Sequence, residues 1–105
     1  MKVLGPDSFT ANGSGSGRQA PDLGVILTIT AVLTGTGVCS GTLQVEGSND
    51  GTNWFAVGAT IALSGTAPQS GSATRVQFSY AQYRHTASNI TGTGATLTCS
   101  TCISS

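Results

Sequence analysis

Charge is what this 105-residue sequence has least of. Only 8% of its residues are Asp, Glu, Lys or Arg, and four acids balance four bases. An ordinary globular domain is about 25% charged. With no basic stripe to neutralise phosphates, nucleic-acid binding is not expected. No Lys/Arg-rich amphipathic face or long apolar run is present, so neither a membrane surface nor a bilayer span is expected. Met1-Lys-Val-Leu4 runs straight into Gly5, Pro6 and Asp7. Without an apolar stretch there, no secretory signal is expected, and the chain is expected to be made in a cytoplasm.

Catalytic groups are equally scarce. There is one histidine, His85, and the acids are Asp7, Asp22, Glu46 and Asp50. Asp50 belongs to a turn signal, Asp7 and Asp22 lie in or beside the N-terminal arm, and Glu46 falls on the polar side of a strand. General acid–base or nucleophilic catalysis needs a positioned pair, so no enzyme activity, catalytic residue or cofactor is expected. Cys39, Cys99 and Cys102 are an odd number, which argues against a pure disulfide framework, although Cys39 could bridge to Cys99 or Cys102. Cys99-Ser-Thr-Cys102 has metal-ligand spacing, and Cys39 with His85 would complete a four-ligand set. On a strand, however, positions i and i+3 face opposite sides, so no metal site is expected. Small buried apolar residues or a single disulfide are the simpler roles for these cysteines.

Thr, Ser, Gly, Asn and Gln supply the missing polarity; Thr suits strands and the others suit turns. Residues 1–22 read as an extended arm, with Asn12-Gly-Ser-Gly-Ser-Gly17 as flexible linker and Val3, Leu4 and Phe9 as apolar anchors for a partner. Pro21 closes it. Residues 23–105 read as one β domain. In 23–34, Val25, Leu27, Ile29, Ala31 and Leu33 share a face, opposite Thr28, Thr30 and Thr34, with Ile26 and Val32 interrupting. Thr-Gly-Thr-Gly at 34–37 is expected to end that strand. A second strand over 41–47 turns Leu43 and Val45 inward, and Ser48-Asn49-Asp50-Gly51 makes a hairpin turn into a third over 53–58, with Trp54 in the core. Ile61 and Leu63 mark a short strand, and 65–72 a loop. Residues 73–80 alternate Val76, Phe78 and Tyr80 against Arg75, Gln77 and Ser79. A strand begins at Tyr83 with Arg84 and His85 on opposite faces; after a loop over 89–94, the last strand holds Leu97, Cys99 and Ile103 in phase. Short strands at this spacing predict an all-β antiparallel sandwich, jelly-roll or immunoglobulin-like, with no helix. The sequon Asn89-Ile-Thr91 reads as chance without a secretory signal.

The block Leu43-Gln-Val-Glu-Gly-Ser-Asn-Asp-Gly-Thr-Asn-Trp-Phe55 resembles the V-x-G-S-x-D-G-x-x-W hairpin of small β-sandwich structural proteins of tailed bacteriophages. Tyr83-Arg84 followed by Thr91-Gly-Thr-Gly-Ala-Thr-Leu97 looks like the closing strands of that group, although Arg84, His85 and Thr86 stand where the group alternates apolar residues. The resemblance covers about residues 41–99. It implies a virion component assembled in the host cytoplasm: a capsid decoration or cement protein on the major capsid protein, or a neck or tail accessory or fibre protein. A homo-oligomer is expected, and a closed trimer would match local capsid symmetry. Loss of residues 1–20 would then weaken particle binding and leave the domain folded. The competing class is a host- or carbohydrate-binding module using Trp54, Tyr80, Tyr83 and Asn53.

Overall fold

The computed structural model describes residues 2–20, 26–76 and 80–104. Pro21, Asp22, Val25, Gln77, Phe78 and Ser79, with the facing of Arg75 and Val76, lie outside what is described. The described residues contain strands and turns and no helix. The strands are β1 (Lys2–Phe9), β2 (Gly13–Ser14), β3 (Arg18–Gln19), β4 (Ile26–Ser48), β5 (Phe55–Ala56), β6 (Ile61–Thr66), β7 (Gln69–Val76) and β8 (Gln82–Ser104).

All eight form one antiparallel sheet built on a spine of two long strands, β4 and β8, of 23 residues each. These pair from Ile26↔Ser104 to Ser48↔Gln82. The outer edge of β8 carries β1, β2 and β3 in turn; the outer edge of β4 carries β7, β6 and β5. Among the described residues the sheet is therefore four strands wide, with each edge made of three pieces.

Alternation explains the spine. Leu27, Ile29, Ala31 and Leu33 are buried in the first part of β4, and Cys39, Leu43 and Val45 in the second; Tyr83 and Ala87, then Leu97, Cys99 and Ile103, do the same along β8. Between these runs the β4–β8 ladder shifts register at Thr34/Thr36, Thr36/Ser40 and Ser40/Thr42, and the sheet curls there. Gly35 and Gly92 make the curl sterically feasible. Gly92 has φ +111°, and a Cβ on it would lie 2.7 Å from Cys39 Sγ and 2.8 Å from the Val38 carbonyl. A Cβ on Gly35 would also meet Cys39 Sγ at 2.7 Å. The Cys39 thiol thus fills the inside of the bend.

Curling brings the ends of each long strand together. Sixteen residues of extended strand span about 50 Å, yet His85 Nε2 and Thr101 Oγ1, both on β8, are 2.8 Å apart. The inward side chains of the two halves merge into one core that includes Leu4, Val57 and Leu63.

Several sequence expectations change. The Thr-Gly-Thr-Gly stretch bends β4 instead of ending it, because its unbroken partner β8 continues the pairing. Residues 89–94 likewise stay within β8. The expected loop over 65–72 is mostly the β6–β7 connection and the start of β7. The strand expected over 53–58 shrinks to Phe55–Ala56, with Val57 buried and Phe55 56% exposed. Residues 2–20, expected as an arm, lie along the β8 edge of this chain's own sheet.

Candidate functional site

The curl assembles a polar cluster that the spacing of its members along the chain conceals. Asp7 comes from β1, Arg18 from β3, and His85 and Thr101 from the two ends of β8. Asp7 Oδ2 lies 2.6 Å from His85 Nδ1, and Asp7 Oδ1 accepts from Arg18 Nη2 at 2.7 Å. An ionised carboxylate only accepts hydrogen bonds, so His85 Nδ1 carries the proton and donates it. In the neutral ring Nε2 then accepts from the Thr101 hydroxyl. Burial pushes the His85 pKa down; the Asp7 hydrogen bond and charge oppose this without reversing it, and Arg18 adds to it. For Asp7, burial alone would raise the pKa, but hydrogen bonds from Arg18 and His85 outweigh it and hold the carboxyl below its usual range.

Asp7, His85 and Thr101 stand in the order acid, imidazole, hydroxyl that nucleophilic catalysis uses. No local pattern signals this grouping, because Asp7 and His85 are 78 residues apart and meet only through the β1–β8 pairing and the curl. The hydroxyl faces inward: Thr101 is 1% exposed and His85 2%. In this arrangement the cluster acts as an internal tie between the N-terminal segment and both ends of β8.

Of the glycines of 13–17, Gly15 belongs to the same tie. Gly15 N donates to the His85 carbonyl at 2.8 Å. A Cβ on Gly17 would meet the Trp54 ring at 2.8 Å, so only glycine lets the backbone pass there. Trp54 is half-buried, not a core residue as expected: Gly17 packs against it, and the Arg84 guanidinium carbon lies 4.4 Å from a ring centroid. Arg84 also pairs with Glu46 at 2.8 Å, and Thr86 Oγ1 donates to the same carboxylate oxygen. Asp50 closes its turn by accepting from Ser48, Thr52 and Asn53.

The sequence-predicted partner anchors separate. Leu4 is buried in the core, Phe9 packs against it, and Val3 remains 58% exposed. The aromatics proposed for glycan binding separate too. Tyr83 is 1% exposed and its hydroxyl accepts from Tyr80 N. Tyr80 is half-buried, stacked on the exposed Phe55 at 6.4 Å between ring centroids. All three cysteines are free thiols. Cys99 points inward and Cys102 outward on β8, and burial, with the nearby Asp7 charge, pushes the Cys99 thiol up to about 12. No group of three or more potential metal ligands exists among the described residues.

The outer faces of the two halves differ in charge. On the half formed by β1, β7 and the adjoining parts of β8 and β4, the outward positions include Val3, Thr28, Thr30, Val32, Ser72 and Thr98. Among the described side chains none on that face is charged. Val3 and Val32 are 58% and 42% exposed within it. The other half carries Glu46 and Arg84 outward. No protein-family model matches this chain, and no curated protein sequence matches it significantly.

Proposed function

We propose that this chain is a non-enzymatic virion structural protein of a tailed phage, a capsid decoration or cement protein that binds and stabilises the shell of the major capsid protein. In this reading the curled sheet is a jelly-roll-like sandwich. The observation that carries the proposal is the outer face of β1, β8, β4 and β7, which holds no charge among the described side chains and is a broad Thr/Ser/Val surface on a 10.4 kDa chain. Charge is the usual protection of a small domain against association, and a face without it is suited to being covered. The hairpin of residues 45–54 and its phage-like pattern support the same reading. Partner contact then falls to Val3 and the sheet face, since Leu4 serves the core. Many weakly bound copies would reinforce the shell by avidity. The buried Thr101 hydroxyl supports the non-enzymatic reading, and the burial of Tyr83 weighs against a glycan platform built on it.

The test is the copy number in purified particles produced from the genome that encodes this chain, by quantitative mass spectrometry against the major capsid protein. Hundreds of copies are expected. About five to twelve would assign the protein to a neck or tail ring, and absence from the particle would overturn the virion reading.

A further inference from the structure

Residues 2–20 are tied to one another as well as to the sheet. β1 and β3 lie along the two ends of β8, which the curl brings together. Between them Lys2 Nζ donates to the Gln19 carbonyl at 2.7 Å, and Asp7 pairs with Arg18 at 2.7 Å. Both bridges are internal to the segment and are kept if it moves as a whole. Its hold on the rest of the chain comes from pairing to β8, from Leu4 in the core with Phe9 and Ala20 against it, and from the Asp7–His85 bond at 2.6 Å. That bond contains the group that titrates near neutral pH.

The site holds one positive charge already. Asp7 gives one oxygen to Arg18 and the other to His85. A protonated ring would set two cations on one carboxylate, at a position 2% exposed. Nε2 would also cease to accept from Thr101, and the hydroxyl would have to turn and leave its own proton without that acceptor. No other described side chain around the ring offsets the added charge. Asp7 comes from β1 and Arg18 from β3. On β8, Thr101 is neutral and the Cys99 thiol, pushed up to about 12, keeps its proton. On β4 the position opposite His85 is Val45. Glu46 and Arg84 face outward and pair with each other.

We propose that His85 is an acid-operated latch on residues 2–20: a proton on its ring makes this segment lift from the edge of β8 as a unit, while β4 and β8 stay paired. The β4–β8 ladder, Ile26↔Ser104 to Ser48↔Gln82, includes no residue of the segment. Lifting frees the β8 edge from Leu97 to Ile103 and carries Asp7 and Arg18 away together. His85 then titrates as an ordinary histidine, near 6.5. In the closed form burial, with Arg18 adding to it against the pull of Asp7, holds the ring below that value. The lifted fraction is therefore smallest above about pH 6.5 and grows as pH falls. Linkage allows a rise of up to about tenfold between pH 7.5 and 5.5, a range in which Asp7 stays ionised. Such partial opening lies below global unfolding in free energy. The latch concerns the isolated chain and does not rest on the virion reading.

Native-state hydrogen exchange of the full chain at pH 7.5 and 5.5, each corrected for the intrinsic rate at that pH, tests it. Amides of 2–9 should open several-fold more often at pH 5.5, and amides of 27–33 clearly less so. Each variant is read as its own ratio between the two pH values, so uniform loosening does not count. Arg18→Gln, at a side chain 38% exposed, leaves Asp7 free to neutralise the ring and should shrink the ratio for 2–9. His85→Gln keeps a neutral donor for Asp7 and should remove the pH effect. If that variant fails to fold, the parent and Arg18→Gln decide. Opening of 2–9 that ignores pH, an equal rise in 2–9 and 27–33, or an undiminished ratio in either variant overturns the latch.

Discussion

At the scale of residues, the Asp7–His85–Thr101 tie makes stability depend on pH in a direction that can be worked out. His85 is buried and its pKa is depressed, whereas an unfolded histidine titrates near 6.5. Below that value the unfolded chain takes up a proton that the folded chain resists, so stability is fully present above about pH 6.5 and declines as pH falls. Asp7, also held low, adds a second loss below its ordinary value of 3.8. Denaturant unfolding as a function of pH should show both phases. In His85→Ala the phase beginning near 6.5 should vanish. That substitution should also cost about 3 kcal/mol near neutral pH, because it leaves the buried Thr101 hydroxyl and one oxygen of Asp7 without their partner, Arg18 holding the other. A variant that unfolds with the parent's pH profile would show that another group carries the acid sensitivity.

At the scale of elements, the two long strands depend on their bend. Gly92 sits at φ +111°, a conformation L side chains rarely adopt, and faces the Cys39 thiol at a distance no Cβ tolerates. Gly92→Ala should therefore destabilise the chain by roughly 2–3 kcal/mol, through strain and displacement of Cys39. Gly94→Ala is the useful comparison. Its φ is also positive at +65°, but no atom lies within 4 Å of the added Cβ, so its cost should be smaller. Thermal unfolding of the two variants side by side separates backbone strain from crowding; equal losses would mean that Cys39 moves aside freely. The bend could not be read from composition, because Thr-Gly-Thr-Gly is also a reasonable strand terminator. Which role it takes depends on whether a partner strand continues alongside, and that partner begins 48 residues later, at Gln82.

At the scale of the whole molecule, the N-terminal segment belongs to the fold. β1 covers the edge of β8 opposite Leu97 to Ile103, Leu4 enters the core, and Arg18 and Asp7 close over His85. Deleting residues 1–20 would expose that edge and strip His85 of its acid partner. Loss of a buried leucine alone typically costs about 2–5 kcal/mol. The truncated chain should therefore melt far lower than the parent or collect in the insoluble fraction. A truncated chain that is soluble, monomeric and as stable as the parent would restore the sequence-based picture of a detachable arm.

By itself the sequence determined the class of the fold and most of its facing. The period-two alternation of Leu27 to Leu33, Leu43 with Val45, and Leu97 to Ile103 carries that information locally, because neighbouring side chains on a strand must point to opposite sides. It also showed that charge is scarce, since counting needs no coordinates. The tertiary structure decided what local pattern cannot hold. It placed Leu4 in the core while leaving Val3 outside, laid the Gly/Ser segment along the edge of β8, and set Trp54 between Gly17 and Arg84. It also brought Asp7 to His85. Each of these depends on which distant segment lies alongside once the sheet curls, a matter of long-range pairing that no window of neighbouring residues records.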